Sequence, residues 1–144
     1  MRISLGEVDT PASEAMVKAA AQHQIPVFAH LPMGVSSEAL ARLAQAGAAA
    51  VVLVPLRGTL PAVNGELTHG RLYGPALFPW VLQAVHLLSA RAAIPLIASG
   101  GIYRREQVKA MLAAGASPVQ IDSVLWTEPE RVFNTSVDEG SEAA

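Results

Sequence analysis

Short apolar runs alternate with amphipathic segments along most of the chain, and this alternation predicts parallel strands joined by helices. The apolar runs are continuous, as expected for strands that are buried on both faces. Strands are predicted at 2–5, 25–30, 50–54, 94–99 and within 114–123. Helices are predicted at 10–22, 36–47, 74–91 and 104–114, and a further short helix is predicted to start at Asp122 or Ser123. The segment 55–73 breaks this pattern with several Gly and Pro residues, and we expect a long binding loop or lid there.

The clearest unit in this pattern is the strand 94–99, the Gly100-Gly101 pair that follows it, a helix, and a second strand that leads to Ser123. In a parallel α/β fold the carboxyl ends of neighbouring strands share one face, where ligands bind. Two glycines at such an end leave backbone amides accessible, which favours an anion. The hydroxyl and amide of Ser123 are expected to reach the same anion. The alternative interpretation is that the two glycines form only a tight turn.

The two halves of the chain resemble each other, which indicates a barrel. Ile25-Pro-Val-Phe-Ala-His30 matches Ile94-Pro-Leu-Ile-Ala-Ser99, and an Ala-Gly-Ala triplet is centred on Gly47 and again on Gly115. Tandem β/α modules of this kind are typical of a (β/α)8 barrel. The alternative is that the triplet recurs only because glycine is favoured at helix ends. A complete barrel needs roughly 250 residues. The predicted fold class is therefore α/β, with parallel β/α units that form half of a TIM-type barrel.

Composition and charge narrow the class of protein. The 144 residues are 51% hydrophobic and 15% charged, which predicts one core-rich globular domain over residues 1–133, followed by a polar, disordered tail at 134–144. The formal net charge is −2, and the ten Lys and Arg residues are scattered, so neither nucleic acid nor a membrane surface is an expected partner. No apolar run approaches the roughly 18 residues that span a bilayer, so a cytoplasmic location is expected. The chain has no cysteine, and its four histidines lack the spacing of a metal site.

Four segments together resemble the carboxyl-terminal half of the dihydroorotate dehydrogenase family of flavin-dependent β/α barrels. They are Pro26-Val-Phe-Ala-His30, Gly70-Arg-Leu-Tyr-Gly-Pro-Ala-Leu-Phe-Pro79, Ile94-Pro-Leu-Ile-Ala-Ser-Gly-Gly-Ile102 and Ala114-Gly-Ala-Ser-Pro-Val-Gln-Ile-Asp-Ser123. The second segment is similar to the family's Gly-Gly-Leu-Ser-Gly-Pro-Ala turn. The Gly-Gly-Ile element alone occurs in many phosphate-binding barrels, but its combination with the other three at these distances indicates this family. The resemblance covers about residues 25–129.

The resemblance implies a site for the cofactor FMN. It implies that Gly100, Gly101 and Ser123, with the backbone of Asp122, hold the FMN phosphate. The Asp122 carboxylate would repel that phosphate unless it turns away. The resemblance also implies that Gly74 lets the backbone approach the flavin, because a Cβ there would occupy the ligand's space. The alternative for Gly74 is again a tight turn without a ligand.

The chain departs from the family pattern at His30 and at the Pro55-Leu56 pair that precedes Arg57. His30 replaces a lysine that the family usually places near the flavin, at a strand end; a histidine can donate a hydrogen bond to the flavin ring, but its positive charge is not assured. The alternative is a purely structural histidine. Arg57 follows Pro55 and Leu56, where the family usually offers an asparagine and a hydroxyl residue to the substrate, which puts dihydroorotate itself in doubt. Arg57 can bind a carboxylate through two hydrogen bonds, or be a solvated loop residue.

No catalytic base is assigned. Glu7 and Asp9 stand where the family's base-carrying loop is expected, but acidic side chains in such a loop are most often exposed to solvent. The resemblance therefore implies an FMN-dependent oxidoreductase acting on a dihydropyrimidine-like small molecule, present here as the phosphate-binding half of its barrel. A second hypothesis is a non-catalytic flavin- or phosphate-ligand-binding module, and a third is a sugar-phosphate barrel enzyme without flavin. The open edges of a half-barrel favour a homo-oligomer, or pairing with a missing half-barrel if the gene is longer.

Overall fold

The computed structural model describes residues 2–4, 11–54 and 56–130. Its strands are β1 (Arg2–Ser4), β2 (Phe28–Pro32), β3 (Ala50–Val54), β4 (Arg57–Pro61), β5 (Leu67–Arg71), β6 (Leu96–Ser99) and β7 (Val119–Gln120). Its α-helices are α1 (Pro11–Ala21), α2 (Ser37–Gln45), α3 (Phe78–Ser89), α4 (Arg105–Ala113) and α5 (Val124–Thr127), and a short 3-10 helix at Pro75–Leu77 precedes α3. Glu7, Asp9 and the expected tail at 134–144 lie outside the described residues. None of the helices in the described ranges has the length and apolar character needed to cross a membrane.

Five of the strands form one parallel sheet in the order β1-β2-β3-β6-β7. Each strand of this sheet is therefore added beside the previous one, and only the β4-β5 pair is inserted between β3 and β6. A doubly wound sheet changes direction at a switch point and carries helices on both faces, whereas a barrel adds strands in one direction with its helices outside. The fold is half of a TIM-type α/β barrel, as the sequence predicted.

The two faces of the sheet have different environments. Helices α1 to α4 bury their apolar residues against one face in a single hydrophobic core, to which the sheet contributes Ala29, Leu31, Val51, Leu53, Leu96 and Ala98. Successive side chains of a strand point to opposite faces. His30, Val52 and Ile97, which are aligned across neighbouring strands, therefore lie on the other face, which corresponds to the interior of a barrel.

The predicted long loop at 55–73 is wrong, because most of it forms a hairpin. β4 and β5 pair antiparallel, with Arg57 opposite Arg71 and Thr59 opposite His69. The Thr59 Oγ1 and His69 Nδ1 atoms lie 2.8 Å apart and form a hydrogen bond across the two strands. The strands read Arg-Gly-Thr-Leu-Pro and Leu-Thr-His-Gly-Arg, so neither shows the apolar alternation that would have predicted it. The hairpin forms instead through its backbone ladder.

Candidate functional site

The predicted site residues collect at the carboxyl edge of the parallel sheet. The segments that follow β3, β6 and β7 all leave the sheet at this edge, because the three strands run in the same direction. These segments carry six of the seven residues proposed from the sequence: Arg57, Gly74, Gly100, Gly101, Asp122 and Ser123. The fold therefore supplies the shared edge on which the predicted phosphate site depends.

The paired glycines after β6 have the backbone conformation that glycine favours. Gly100 and Gly101 have φ angles of 114° and 73°, which residues with side chains rarely adopt. A Cβ on Gly101 would overlap the backbone nitrogen of Phe78 and lie 2.7 Å from its Cα atom, so Gly101 packs directly against the start of α3. Packing alone thus explains why position 101 is a glycine. Its amide donates to none of the turn and loop hydrogen bonds among the described residues, and it is a candidate donor to an anion.

Gly74 borders open space. Its φ angle is 133°, and a Cβ built on it would meet no atom of the described residues within 4 Å. Its carbonyl accepts a hydrogen bond from the Leu77 amide at 3.2 Å, which holds the turn that leads into α3. Phe78, which follows Leu77, packs against Gly101, so the turns at Gly74 and Gly101 are neighbours. The backbone at Gly74 is thus uncovered by the described residues, and close approach of a ligand there stays a prediction.

Tyr103 connects the turn after β6 with the turn after β7. Its hydroxyl donates a hydrogen bond to Ser123 Oγ at 2.9 Å, and its amide donates to Gln107 Oε1 at 2.7 Å. A serine hydroxyl that accepts a hydrogen bond still has its own hydrogen to donate. The bond to Tyr103 therefore orients Ser123 without using its donor. Sequence analysis missed Tyr103, although its place two residues after Gly101 put it in the same turn.

Two acidic residues follow strand ends at this edge, Asp122 after β7 and Glu38 after β2. The Asp122 carbonyl accepts a hydrogen bond from the Leu125 amide at 3.0 Å, so the backbone group that remains at Asp122 for a phosphate is its amide. Glu38 lies in the first turn of α2, which follows β2. Hydrogen bonds from its own amide and from the Ser36 hydroxyl lower the pKa of Glu38.

His30 lies in the interior of β2, which corrects the prediction that it ends the strand. The strand continues to Pro32, and His30 is in register with Ser4 of β1 and Val52 of β3. Only 6% of its surface is exposed. The sequence misplaced the strand within the apolar run 25–32, because pairing with neighbouring strands decides which five residues of the run are used. The contact of His30 with a flavin ring stays a prediction.

Arg57 is the first residue of β4 and is exposed at the foot of the hairpin. The sequence placed it in a loop, whereas the structure fixes its backbone in a ladder opposite Arg71. This second arginine was missed, because only the strand register brings two positions 14 residues apart in sequence into direct opposition.

Comparison with known protein families identifies the family of this chain. The family model described as nitronate monooxygenase matches residues 9–132, most of the chain. The chain belongs to the nitronate monooxygenase family. This match includes every site residue proposed above and both of the repeated β/α modules.

Curated relatives of this chain are named dihydroorotate dehydrogenases. The chain is 28% identical over 137 residues to the catalytic subunit of dihydroorotate dehydrogenase B (NAD(+)) of Shouchella clausii, which is 88% of this chain and 44% of that protein. It is 29% identical over 123 residues to the same subunit of Thermoplasma acidophilum, which is 80% of this chain and 40% of the relative. A dihydroorotate dehydrogenase A (fumarate) of Limosilactobacillus reuteri is 37% identical over 60 residues, or 42% of this chain and 20% of that protein. The chain spans less than half the length of these relatives.

The comparisons confirm the resemblance to dihydroorotate dehydrogenases that the sequence motifs indicated. Both names denote oxidoreductases, but they differ in the compound that reacts. The fold and the family are thus established, and the reaction has to be inferred from the site.

Proposed function

We propose that this chain is the phosphate-binding half of an FMN-dependent oxidoreductase. The observation that carries the proposal is the arrangement of Gly74, Gly101 and Ser123 at one edge of the sheet. Gly101 packs against Phe78, the first residue of α3, which directly follows the Gly74 turn, and Tyr103 links the Gly101 turn to Ser123. One small ligand can therefore contact all three turns, with its anionic end at the hydroxyl and amide donors and its ring beside the open backbone of Gly74.

The residues at this edge fit the phosphate and ring of FMN. In the proposed complex the Gly101 amide and the Ser123 hydroxyl donate hydrogen bonds to the phosphate, and each such bond to a charged group contributes more than a neutral one. The absence of a Cβ at Gly74 allows the ring to lie against the backbone. When bound, FMN supplies the hydride or electron transfer, and the protein orients it.

Two substrate classes follow from the comparisons. A dihydropyrimidine-like compound is favoured by the dihydroorotate dehydrogenase relatives, which align with most of the chain. A nitronate is favoured by the family match. A non-catalytic flavin- or phosphate-binding module is the alternative function, because the site residues described above can hold a ligand and no catalytic base is assigned among them.

The phosphate site is tested by titrating the purified chain with FMN and with riboflavin, which has the same ring but no phosphate. We expect FMN to bind more tightly than riboflavin. Ser123→Ala should weaken FMN binding roughly tenfold or more, since it removes a hydrogen bond to a charged group, and should leave riboflavin binding unchanged. Ser117→Ala is the matched control, because Ser117 is an exposed serine at the opposite end of β7. Equal affinity for the two flavins, or no binding of either, would contradict the proposal.

The reaction is tested separately with the FMN-loaded chain. Dihydroorotate or an alkyl nitronate is added under anaerobic conditions, and reduction of the flavin is measured by its absorbance. The compound that reduces the flavin identifies the substrate class. Bound FMN that neither compound reduces would favour the binding module.

A further inference from the structure

The hairpin places two arginines directly opposite each other. Arg57 of β4 and Arg71 of β5 are paired in the antiparallel register. Directly opposite residues project their side chains from the same face of a ladder, with Cβ atoms about 4.5–5.5 Å apart. Both arginines are exposed. Two guanidinium groups therefore share one side of the hairpin.

The backbone around this pair is fixed on both sides. Toward the body of the protein, the Leu72 amide donates to the Leu56 carbonyl at 2.8 Å. Toward the tip, the side chains of Thr59 and His69 are hydrogen-bonded at 2.8 Å. Although the arginines form the terminal pair of the ladder, their backbone is thus flanked by hydrogen bonds on both sides, which fixes the two positions opposite each other.

No carboxylate within the described hairpin neutralises the pair. The one acidic residue of segment 56–73 is Glu66, whose carboxylate accepts a hydrogen bond from Asn64 in the turn at the tip. Glu66 is five residues along the strand from Arg71, about 17 Å at the usual rise of a strand. Like charges directly opposite each other destabilise a sheet. An external anion that binds both groups would relieve this repulsion.

The pair also lies close to the proposed flavin site. Arg57 is three residues after the end of β3, and Arg71 is three residues before Gly74. Three residues span at most about 11 Å of extended chain. The pair is therefore at the carboxyl edge of the sheet, within the reach of a substrate that contacts a ligand at Gly74.

We propose that Arg57 and Arg71 together bind a planar anionic group with two oxygens, such as a carboxylate, on the substrate. The planar fork of a guanidinium matches two such oxygens through paired hydrogen bonds. The assignment of this anion to a substrate rests on the proposed flavin function, whereas binding of the anion itself does not. Two experiments separate these statements.

Anion binding is measured by calorimetric titration of the flavin-free chain with benzoate, and with benzamide as a neutral compound of the same shape. We expect benzoate to bind and benzamide not to bind. Arg57→Gln and Arg71→Gln should each weaken benzoate binding by roughly tenfold or more. Lys18→Gln, which removes one exposed positive charge from α1, should leave it unchanged. Equal benzoate affinity in the wild type and both arginine variants would overturn the proposal whether or not FMN binds.

The role in substrate binding is measured by titrating the FMN-loaded chain with orotate, which is the oxidised form of dihydroorotate and carries a carboxylate. The change in flavin absorbance reports binding. Arg57→Gln and Arg71→Gln should weaken orotate binding and leave the FMN dissociation constant unchanged. Variants that lose FMN affinity instead would show that the pair holds the cofactor, and the substrate assignment would be wrong. A wild-type chain that binds benzoate but not FMN would contradict the proposed function and leave the anion site in place.

Discussion

The hydrogen bond between Tyr103 and Ser123 controls the direction in which the serine hydroxyl can donate. Because the Tyr103 hydroxyl donates to Ser123 Oγ at 2.9 Å, the serine hydrogen is directed to another acceptor, and the phosphate is the acceptor that the proposal supplies. Tyr103→Phe keeps the ring and removes this bond. We expect FMN affinity to fall about three- to tenfold, in line with roughly 1 kcal/mol for a neutral hydrogen bond, and riboflavin affinity to stay the same. Ser117→Ala, which removes an exposed hydroxyl at the opposite end of β7, is the control.

The ratio of the FMN to the riboflavin dissociation constant is the decisive measurement for Tyr103. A change in this ratio shows an effect on the phosphate, whereas a purely structural effect of Tyr103→Phe would weaken both flavins equally. At this scale the sequence could place Ser123 and the glycines after the ends of strands, since turn residues after apolar runs are visible in the chain itself, and their role in binding stays a prediction. It could not predict Tyr103, because the contact with Ser123 joins residues 20 positions apart through two turns.

The internal repeat is confirmed by matching helix ends. α2 and α4 are both nine residues long and begin 68 positions apart. Each is followed by a glycine of positive φ, 98° at Gly47 and 104° at Gly115. A Cβ on Gly47 would lie 2.8 Å from the Cβ of Ala21, and a Cβ on Gly115 would lie 2.5 Å from the Cβ of Ser89. These neighbours are the last residues of α1 and α3. The two modules thus pack consecutive helices together in the same way.

This packing predicts the effect of alanine at the repeated glycines. Gly47→Ala and Gly115→Ala should each reduce the free energy of unfolding by at least about 2 kcal/mol, because a side chain at positive φ costs roughly 1–2 kcal/mol and the added methyl group also overlaps the neighbouring helix. Gly34→Ala should change it by less than about 0.5 kcal/mol, as expected at an uncrowded surface position, because a Cβ there meets no described atom within 4 Å. Urea unfolding of the three variants measures the difference. An equal effect at all three positions would show that the helix contact is unimportant.

The elements that the sequence predicted are those with a strong local signal. The Ser36 hydroxyl accepts from the Ala39 amide at 3.1 Å and caps α2 as the sequence indicated, and β3 has the predicted bounds. The hairpin was missed because its strands contain Gly and Pro and expose most of their residues, so its stability depends on pairing rather than on apolar burial. The same dependence on pairing hid the arginine pair, which exists only in the observed register.

At the scale of the whole molecule, β1 and β7 are the edge strands of the five-stranded sheet formed by the described residues. Within the described residues β1 pairs only with β2, and β7 pairs only with β6. A barrel closes such edges with further strands, and unpaired parallel edges favour association with another chain. Trp126, in α5 directly after β7, has 84% of its surface exposed. We therefore expect association through the β7 edge, with a second copy of this chain or with a missing half-barrel, and for the purified chain the second copy is the partner that can be tested.

Light scattering coupled to size-exclusion chromatography measures this association. The chain has a mass of 15.0 kDa, and we expect a larger mass that decreases on dilution. Trp126→Lys should shift the equilibrium toward the monomer, since it places a charge beside the β7 edge on both copies. Leu87→Lys, at a residue of α3 with 63% of its surface exposed, is the control that should not change the mass. A 15.0 kDa species at every concentration would contradict association, and equal effects of the two substitutions would show that the contact lies elsewhere than β7.

Because the proposed phosphate site lies beside β6 and β7, FMN affinity that rises with protein concentration would further show that the second copy stabilises the site.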